Sequence, residues 1–298
     1  MTSRDVAVVI GITLTWGVAF VGIKEVLASS PALTTAGIRF ELGGLLLLPL
    51  LPLVRRRRTG PGAKTRSPRL AEMAGIGLLQ TTGLYGFGFL GITHATAGAS
   101  ALLINTNPVF VAVLAVPFLG ERLRTAAVAG LALAVGGVAL ISVKGGFGSA
   151  LGITLLLVSA ACWALGSIAI KRTAGTDLLR LNCGQMIIGG IPLLALGIVT
   201  EHRLPHPGAK AVAWFAFLVV VATSINFVAW FDLLERFGAV AVTSWLFLIP
   251  VFGVVSGALL LHEPVGWRLV VGGALVVAGV VLAQDRSPQA PPIVDAPG

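Results

Sequence analysis

Charged residues are scarce in this chain. Only 11% of its 298 residues are Asp, Glu, Lys or Arg, and 56% are hydrophobic, whereas an ordinary soluble domain carries about 25% charged residues. A soluble α/β protein with buried strands would need polar helices between its apolar runs, and the chain has none. The composition predicts a polytopic membrane protein. Cysteine is nearly absent: Cys162 and Cys183 lie inside apolar runs, match no metal or redox spacing, and read as packing residues. The five aspartates, Asp5, Asp177, Asp232, Asp285 and Asp295, are never paired. The clustered acids that hold a metal and a diphosphate in intramembrane transferases are therefore missing. No His-Glu-x-x-His or Gly-x-Ser-x-Gly pattern occurs. Gly145-Gly146-Phe147-Gly148 lacks a following Lys-Ser or Lys-Thr and reads as a turn. Pro205 between His202 and His206 prevents a regular helical metal face. Neither a catalytic residue, a cofactor nor a metal is expected.

What the chain has instead is apolar length. About 20 residues cross the hydrocarbon core as a helix, and ten stretches qualify: 6–27, 33–54, 70–92, 97–119, 125–143, 150–170, 178–200, 211–233, 239–261 and 266–283. Most connections between them are very short, so successive helices should be antiparallel neighbours. The first stretch precedes Ala28-Ser29-Ser30, a small-residue cleavage region, but it exceeds the roughly 7 to 15 residues of a signal h-region. It is expected to be retained.

The net charge of +9 does not point to nucleic acid, because seven of the 21 Lys and Arg fall between Arg55 and Arg69. Such a cluster marks a basic cytoplasmic loop lying against anionic lipid. With the N-terminus inside, 15 Lys and Arg fall on inner loops and ends and 5 on outer ones, leaving Arg39 within a span. The positive-inside rule then places both termini in the cytoplasm. Residues 285–298, with four prolines and no apolar periodicity, are expected to form a disordered cytoplasmic tail.

The chain also repeats itself. Pro108-Val109-Phe110, Glu121, Gly130 and Gly137 recur 142 residues later as Pro250-Val251-Phe252, Glu263, Gly272 and Gly279. Trp16 and Lys24 are matched by Trp163 and Lys171, and Gly43-Gly44 by Gly189-Gly190, which sets Arg39 opposite Gln185. Each copy holds five apolar stretches, and an odd number inverts the second copy. The expected architecture is an all-α polytopic membrane protein with ten transmembrane helices in two inverted five-helix repeats, residues 1–145 and 146–284. Helix interruptions in corresponding positions of two halves point to a transporter binding site, which makes Pro108 and Pro250 the expected bends.

The order, spacing and duplication of these motifs resemble one family. Trp16-Gly17 with Lys24, Arg39-Phe40, the block from Pro108-Val109-Phe110 to Leu119-Gly120-Glu121-Arg122, and the echoes Trp163, Pro250 and Glu263 are similar to the EamA-type family of the drug/metabolite transporter superfamily. The likeness spans residues 6–283; Leu181 and Met186 depart from it near where an arginine is expected. The resemblance implies alternating access to a central cavity and, most often, export of metabolites or amino-acid-like compounds and drugs. A secondary transporter in the cytoplasmic membrane is thus the first functional reading. A non-transporting receptor or scaffold is the alternative, ahead of an intramembrane enzyme. No nucleotide-binding domain is present, so a coupled ion such as the proton, or an exchanged solute, should drive transport.

Substrate-cavity candidates follow from polarity inside spans. Lys24, Arg39, Glu41 and Lys171 are ionisable groups in or at the edge of spans, where charge is costly and suggests function. Lys24 and Lys171 lie at helix ends and can snorkel. Arg39 lies deeper, either in a structural ion pair, with Glu25 one possible partner, or facing an anion. Asn105 and Asn107 flank the Pro108 bend and offer amides to a polar ligand or a neighbouring helix; their counterparts Phe247 and Ile249 are apolar. Trp16, Trp163, Tyr85, Trp230 and Trp245 are the aromatic candidates. Trp16 and Trp163 sit in mid-span, away from the interfacial belts. Glu121 and Glu263 are expected to cap the helices that follow them, Glu121 on the inside and Glu263 on the outside.

Overall fold

The computed structural model describes residues 1–51, 66–119, 125–142, 147–173, 175–202, 205–237, 242 and 244–283. Most of the basic loop, Glu121, Arg122, Arg124, Lys144 and the tail from Asp285 lie outside the described residues. Within them the chain is helical, with two isolated β-bridges and no strand.

The helices are α1 (Ser3–Leu27), α2 (Ala32–Leu47), α3 (Leu70–Gly77), α4 (Leu84–Ile92), α5 (Ala97–Ile104), α6 (Asn107–Leu119), α7 (Thr125–Ser142), α8 (Ala150–Lys171), α9 (Leu178–Glu201), α10 (Ala209–Ala216), α11 (Asn226–Phe237), α12 (Leu248–Leu261) and α13 (Trp267–Ala283). Polar caps set several starts. The side chains of Thr96, Ser149 and Asp177 accept from the backbone amides of Ala99, Gly152 and Arg180, while Thr2 and Asp5 cap each other at the start of α1. Each bond satisfies an amide that the helix ladder leaves free. Two π-helical segments, Leu78–Gly83 and Phe217–Ile225, join α3 to α4 and α10 to α11 without a break.

Among the described residues, five helical runs are long and apolar enough to cross a bilayer: Ser3–Leu27, Ala97–Leu114, Ala150–Lys171, Leu178–Glu201 and Ala209–Leu234. Shorter apolar helices cover Val128–Ile141, Trp245–Leu261 and Trp267–Leu282. Large aliphatic side chains such as Ile198, Val199 and Leu259 point outward. That surface suits lipid, not water. The protein is a multi-pass membrane protein.

Hydrophobic burial does not drive helices together inside lipid, so close packing does. The main helix pairs are α7 with α13, α2 with α9, α1 with α12, and α4 with α8. Glycines bring them together. A Cβ on Gly137 would come within 2.5 Å of the Gly272 carbonyl, and one on Gly279 within 2.5 Å of the Gly130 carbonyl. Likewise Gly44 faces Ile187 while Gly190 faces Glu41, and Gly43 faces Thr223 while Gly189 faces Thr81.

Connections and helix ends also meet one another: the backbone of Arg66 bonds to Gly175 and Asp177, Thr96 to Phe147, Ser149 to His94 and His206 to Ser29, while Arg236 pairs with Asp5 and Lys210 with Glu25.

Candidate functional site

α2 carries Arg39 into the interior. The residue is 4% exposed, and its Nε donates to Thr223 Oγ1 at 3.1 Å. Its guanidinium carbon lies 5.1, 5.8 and 5.9 Å from the ring centres of Phe40, Tyr85 and Phe89. A guanidinium stacks on such faces because the ring quadrupole is negative there. Glu25 is not its partner: that carboxylate pairs with Lys210 at 2.7 Å. Among the described residues Arg39 makes no ion pair, and Thr223 Oγ1 is the one hydrogen-bond acceptor its guanidinium finds. The repeat counterpart Gln185 is also buried, its Nε2 donating to Asn182 Oδ1 and its Oε1 taking no donor.

Thr223 belongs to the second π segment and donates to Leu218 O five residues back. A π turn widens the helix and shifts its hydrogen-bond ladder, a feature common at functional sites. In the same segment the Ala222 carbonyl accepts the Trp16 indole N–H at 2.9 Å. Trp16 also packs on Trp230 and Phe227, with ring centres 5.2 and 5.8 Å away. It borders two apolar clusters. Tyr85 and Trp163 flank one of them and Trp245 the other. Trp16 thus links the cluster of Tyr85 and Trp163 to that of Trp245, and Arg39 lies beside the Tyr85 ring; these three tryptophans and Tyr85 are half-buried.

The bend in the fourth stretch falls at Asn105-Thr106, between α5 and α6, and not at Pro108 itself. Pro108 is the second residue of α6, where its missing N–H costs nothing. Pro250 is likewise the third residue of α12, after the 3₁₀ turn Ser244–Phe247. Asn105 donates its amide to Ala101 O at 2.8 Å, an intrahelical bond where a ligand or a neighbouring helix was expected. Asn107 is half-buried and makes no side-chain hydrogen bond among the described residues.

Glu263 corrects a second expectation. Its carboxylate caps not the helix that follows it but the start of α5, accepting from Ala97 N at 2.7 Å and Gly98 N at 3.2 Å. Lys24 completes the cluster with Nζ 2.9 Å from Oε1, so it is paired at the helix end where it was free to snorkel. Lys171 is exposed at the end of α8, and Glu121 lies outside the described residues.

The other described acids are matched as well. Asp5 and Asp232 pair with Arg236, Glu72 with Arg66 and Glu25 with Lys210. Glu201 accepts the backbone N–H groups of Leu33 and Thr34, and Asp177 that of Arg180. Glu41 differs: its Oε1 is buried with no donor.

The π segments, the Lys24 to Glu263 cluster and the isolation of Glu41 were not foreseen from the sequence. One signal was available: Thr81 and Thr223, each inside a π segment, are separated by the same 142 residues as the other landmarks.

The "Uncharacterized transporter YvbV" of Bacillus subtilis (strain 168) is 32% identical over 290 residues, covering 93% of this chain and 90% of its own. The "Probable amino-acid metabolite efflux pump" of Escherichia coli (strain K12) is 28% identical, covering 95% of each chain. A solved crystal structure superposes with a TM-score of 0.64 at 21% identity over 95% of this chain and 98% of its own, a likeness of fold alone. The sequence model of the EamA-like transporter family matches twice, over residues 4–143 and 150–284. A match across nearly the whole chain, on helices that carry a buried arginine and paired π segments, makes this protein a member of the EamA-like transporter family.

Proposed function

We propose that the protein exports a small polar or amphipathic metabolite, amino-acid-like in class, across the cytoplasmic membrane by alternating access between two inverted five-helix repeats. The observation that carries this reading is the reciprocity of the glycine contacts. Gly137 meets Gly272 while Gly279 meets Gly130, and a shift of 142 residues converts each contact into the other. The pairs Gly44 with Ile187 and Gly190 with Glu41 exchange in the same way with a shift of 146. Contacts that swap partners are what a two-fold axis between halves generates, and five spans in each half give ten with both termini on one side. The double family match supports the same division.

In this reading Arg39 receives an anionic group such as a carboxylate, because among the described residues only its Nε has an acceptor and the guanidinium sits among aromatic rings. Trp16, Tyr85, Trp163 and Trp245 supply apolar walls, and Asn107 a polar contact. The relative named as an amino-acid metabolite efflux pump favours the same substrate class.

The test is a thermal-shift screen of the purified protein in detergent against amino acids, nucleosides, sugars, organic acids and cationic drugs. A ligand that binds only the folded state raises the unfolding temperature. Any stabilising solute is then followed in proteoliposomes. Stabilisation and flux by amino acids or their derivatives is the expected result. Flux of none of these classes would sink the transporter reading in favour of a scaffold.

A further inference from the structure

Glu41 is the described acid left without a partner. It lies well inside α2, whose neighbours Leu42, Leu45 and Leu46 face outward. Its Oε1 is buried, accepts no hydrogen bond, and rests against Gly190 of α9, where even a Cβ would approach it to 2.6 Å. Packing does not demand an acid there. In the reciprocal contact Gly44 faces the side chain of Ile187, so an aliphatic group fills the equivalent space.

Arg39 is the other titratable group on α2; the helices packed against it bring Tyr85 from α4 and Cys183 from α9, whose Arg180 and Glu201 lie at its two ends. Arg39 is turned onto Thr223 and the rings of Phe40, Tyr85 and Phe89. Tyr85 stacks on Phe40, and the Cys183 thiol donates to Gly44 O at 3.3 Å. None of them donates to Glu41.

A carboxylate without a donor or a cation is costly inside a membrane, and it becomes tolerable by taking up a proton. We infer that Glu41 is a proton-binding site that couples transport to the proton gradient. The carboxylate takes one proton from one aqueous side to become the neutral acid in the packing seen here. It returns that proton to the opposite side when movement of α9 past α2 brings water to Oε1. Coupling rests on the transporter reading; proton binding does not.

Two measurements separate them. The full-length protein in detergent is treated with dicyclohexylcarbodiimide, which reacts with protonated carboxyl groups in apolar surroundings, and mapped by peptide mass spectrometry across a pH series. An adduct on Glu41 at neutral pH that fades as pH rises is expected. Absence of that adduct at every pH at which the protein stays folded overturns the site. Proteoliposomes are then given a mixture of tritiated L-amino acids, with or without an imposed pH gradient. Wild type should accumulate label on the gradient. Glu41→Gln, checked for unchanged thermal unfolding, should exchange internal for external label yet lose gradient-driven accumulation to the level of protein-free liposomes. Accumulation equal to wild type overturns the coupling. If wild type neither exchanges nor accumulates label, the amino-acid exporter reading fails, and the carbodiimide result alone decides the proton site.

Discussion

Lys24 Nζ and Glu263 Oε1 lie 2.9 Å apart although 239 residues separate them in the chain. The same carboxylate holds the first amides of α5, so it serves three donors where Lys24 serves one acceptor. The side chains are 30% and 10% exposed respectively. Replacing the more buried, more connected partner should cost more. Glu263→Gln is expected to lose about 2 kcal/mol through the weakened cap and the stranded ammonium, and Lys24→Gln under about 1 kcal/mol because the pair is partly solvated. Thermal unfolding in detergent ranks them; equal losses would contradict the assignment of Glu263 as the hub.

The glycines of α7 make a second test. A methyl at Gly137 would strike backbone at 2.5 Å, whereas at Gly136 it meets nothing within 4 Å. Gly137→Ala should therefore destabilise by about 1–3 kcal/mol through separation of α7 from α13. Gly136→Ala should be neutral or stabilising by up to about 1 kcal/mol, since alanine is the better helix former. The comparison is read from the unfolding temperatures of the two variants, and a reversed order would reject the packing.

Asn105 and Asn107 should part company. Asn105→Ala removes an intrahelical bond and is expected to cost about 1 kcal/mol. Asn107→Ala removes no bond seen among the described residues and should leave stability unchanged while lowering transport. Transport by the Asn107 variant equal to wild type would remove that residue from the proposed site.

Arg39 can be tested through ligand charge. In vesicles carrying Arg39→Gln, uptake of anionic analogues should fall far more than uptake of neutral ones. A loss indifferent to charge would mark Arg39 as structural. Thr223→Val, which removes the acceptor of Arg39 Nε and the donor to Leu218 O, should reproduce part of the anion-specific loss with about 1 kcal/mol of destabilisation.

Much of the fold was legible because it depends on properties that a chain displays along its length. The helices expected over 6–27 and 150–170 have ends within a few residues of those bounds, whereas the α-helices over 33–54 and 239–261 are shorter, Ala32–Leu47 and Leu248–Leu261. The paired glycines identified by their 142-residue spacing meet across α7 and α13. Glu263 was read wrongly because local reasoning assigns a carboxylate to the nearest helix start, and the helix start it caps lies 166 residues away.

Length, hydropathy and spacing were enough to mark a membrane protein built from apolar helices with a duplicated set of landmarks, since those properties need no partner to be expressed. That Arg39 faces Thr223 and three aromatic rings, that Trp16 reaches the Ala222 carbonyl, and that Glu41 Oε1 meets no donor among the described residues are matters of helix-to-helix placement. Those outcomes turn on the rotation and vertical register of one helix against another. In lipid, register is set by close packing of small residues, so a shift of one residue would give each polar side chain a different neighbour.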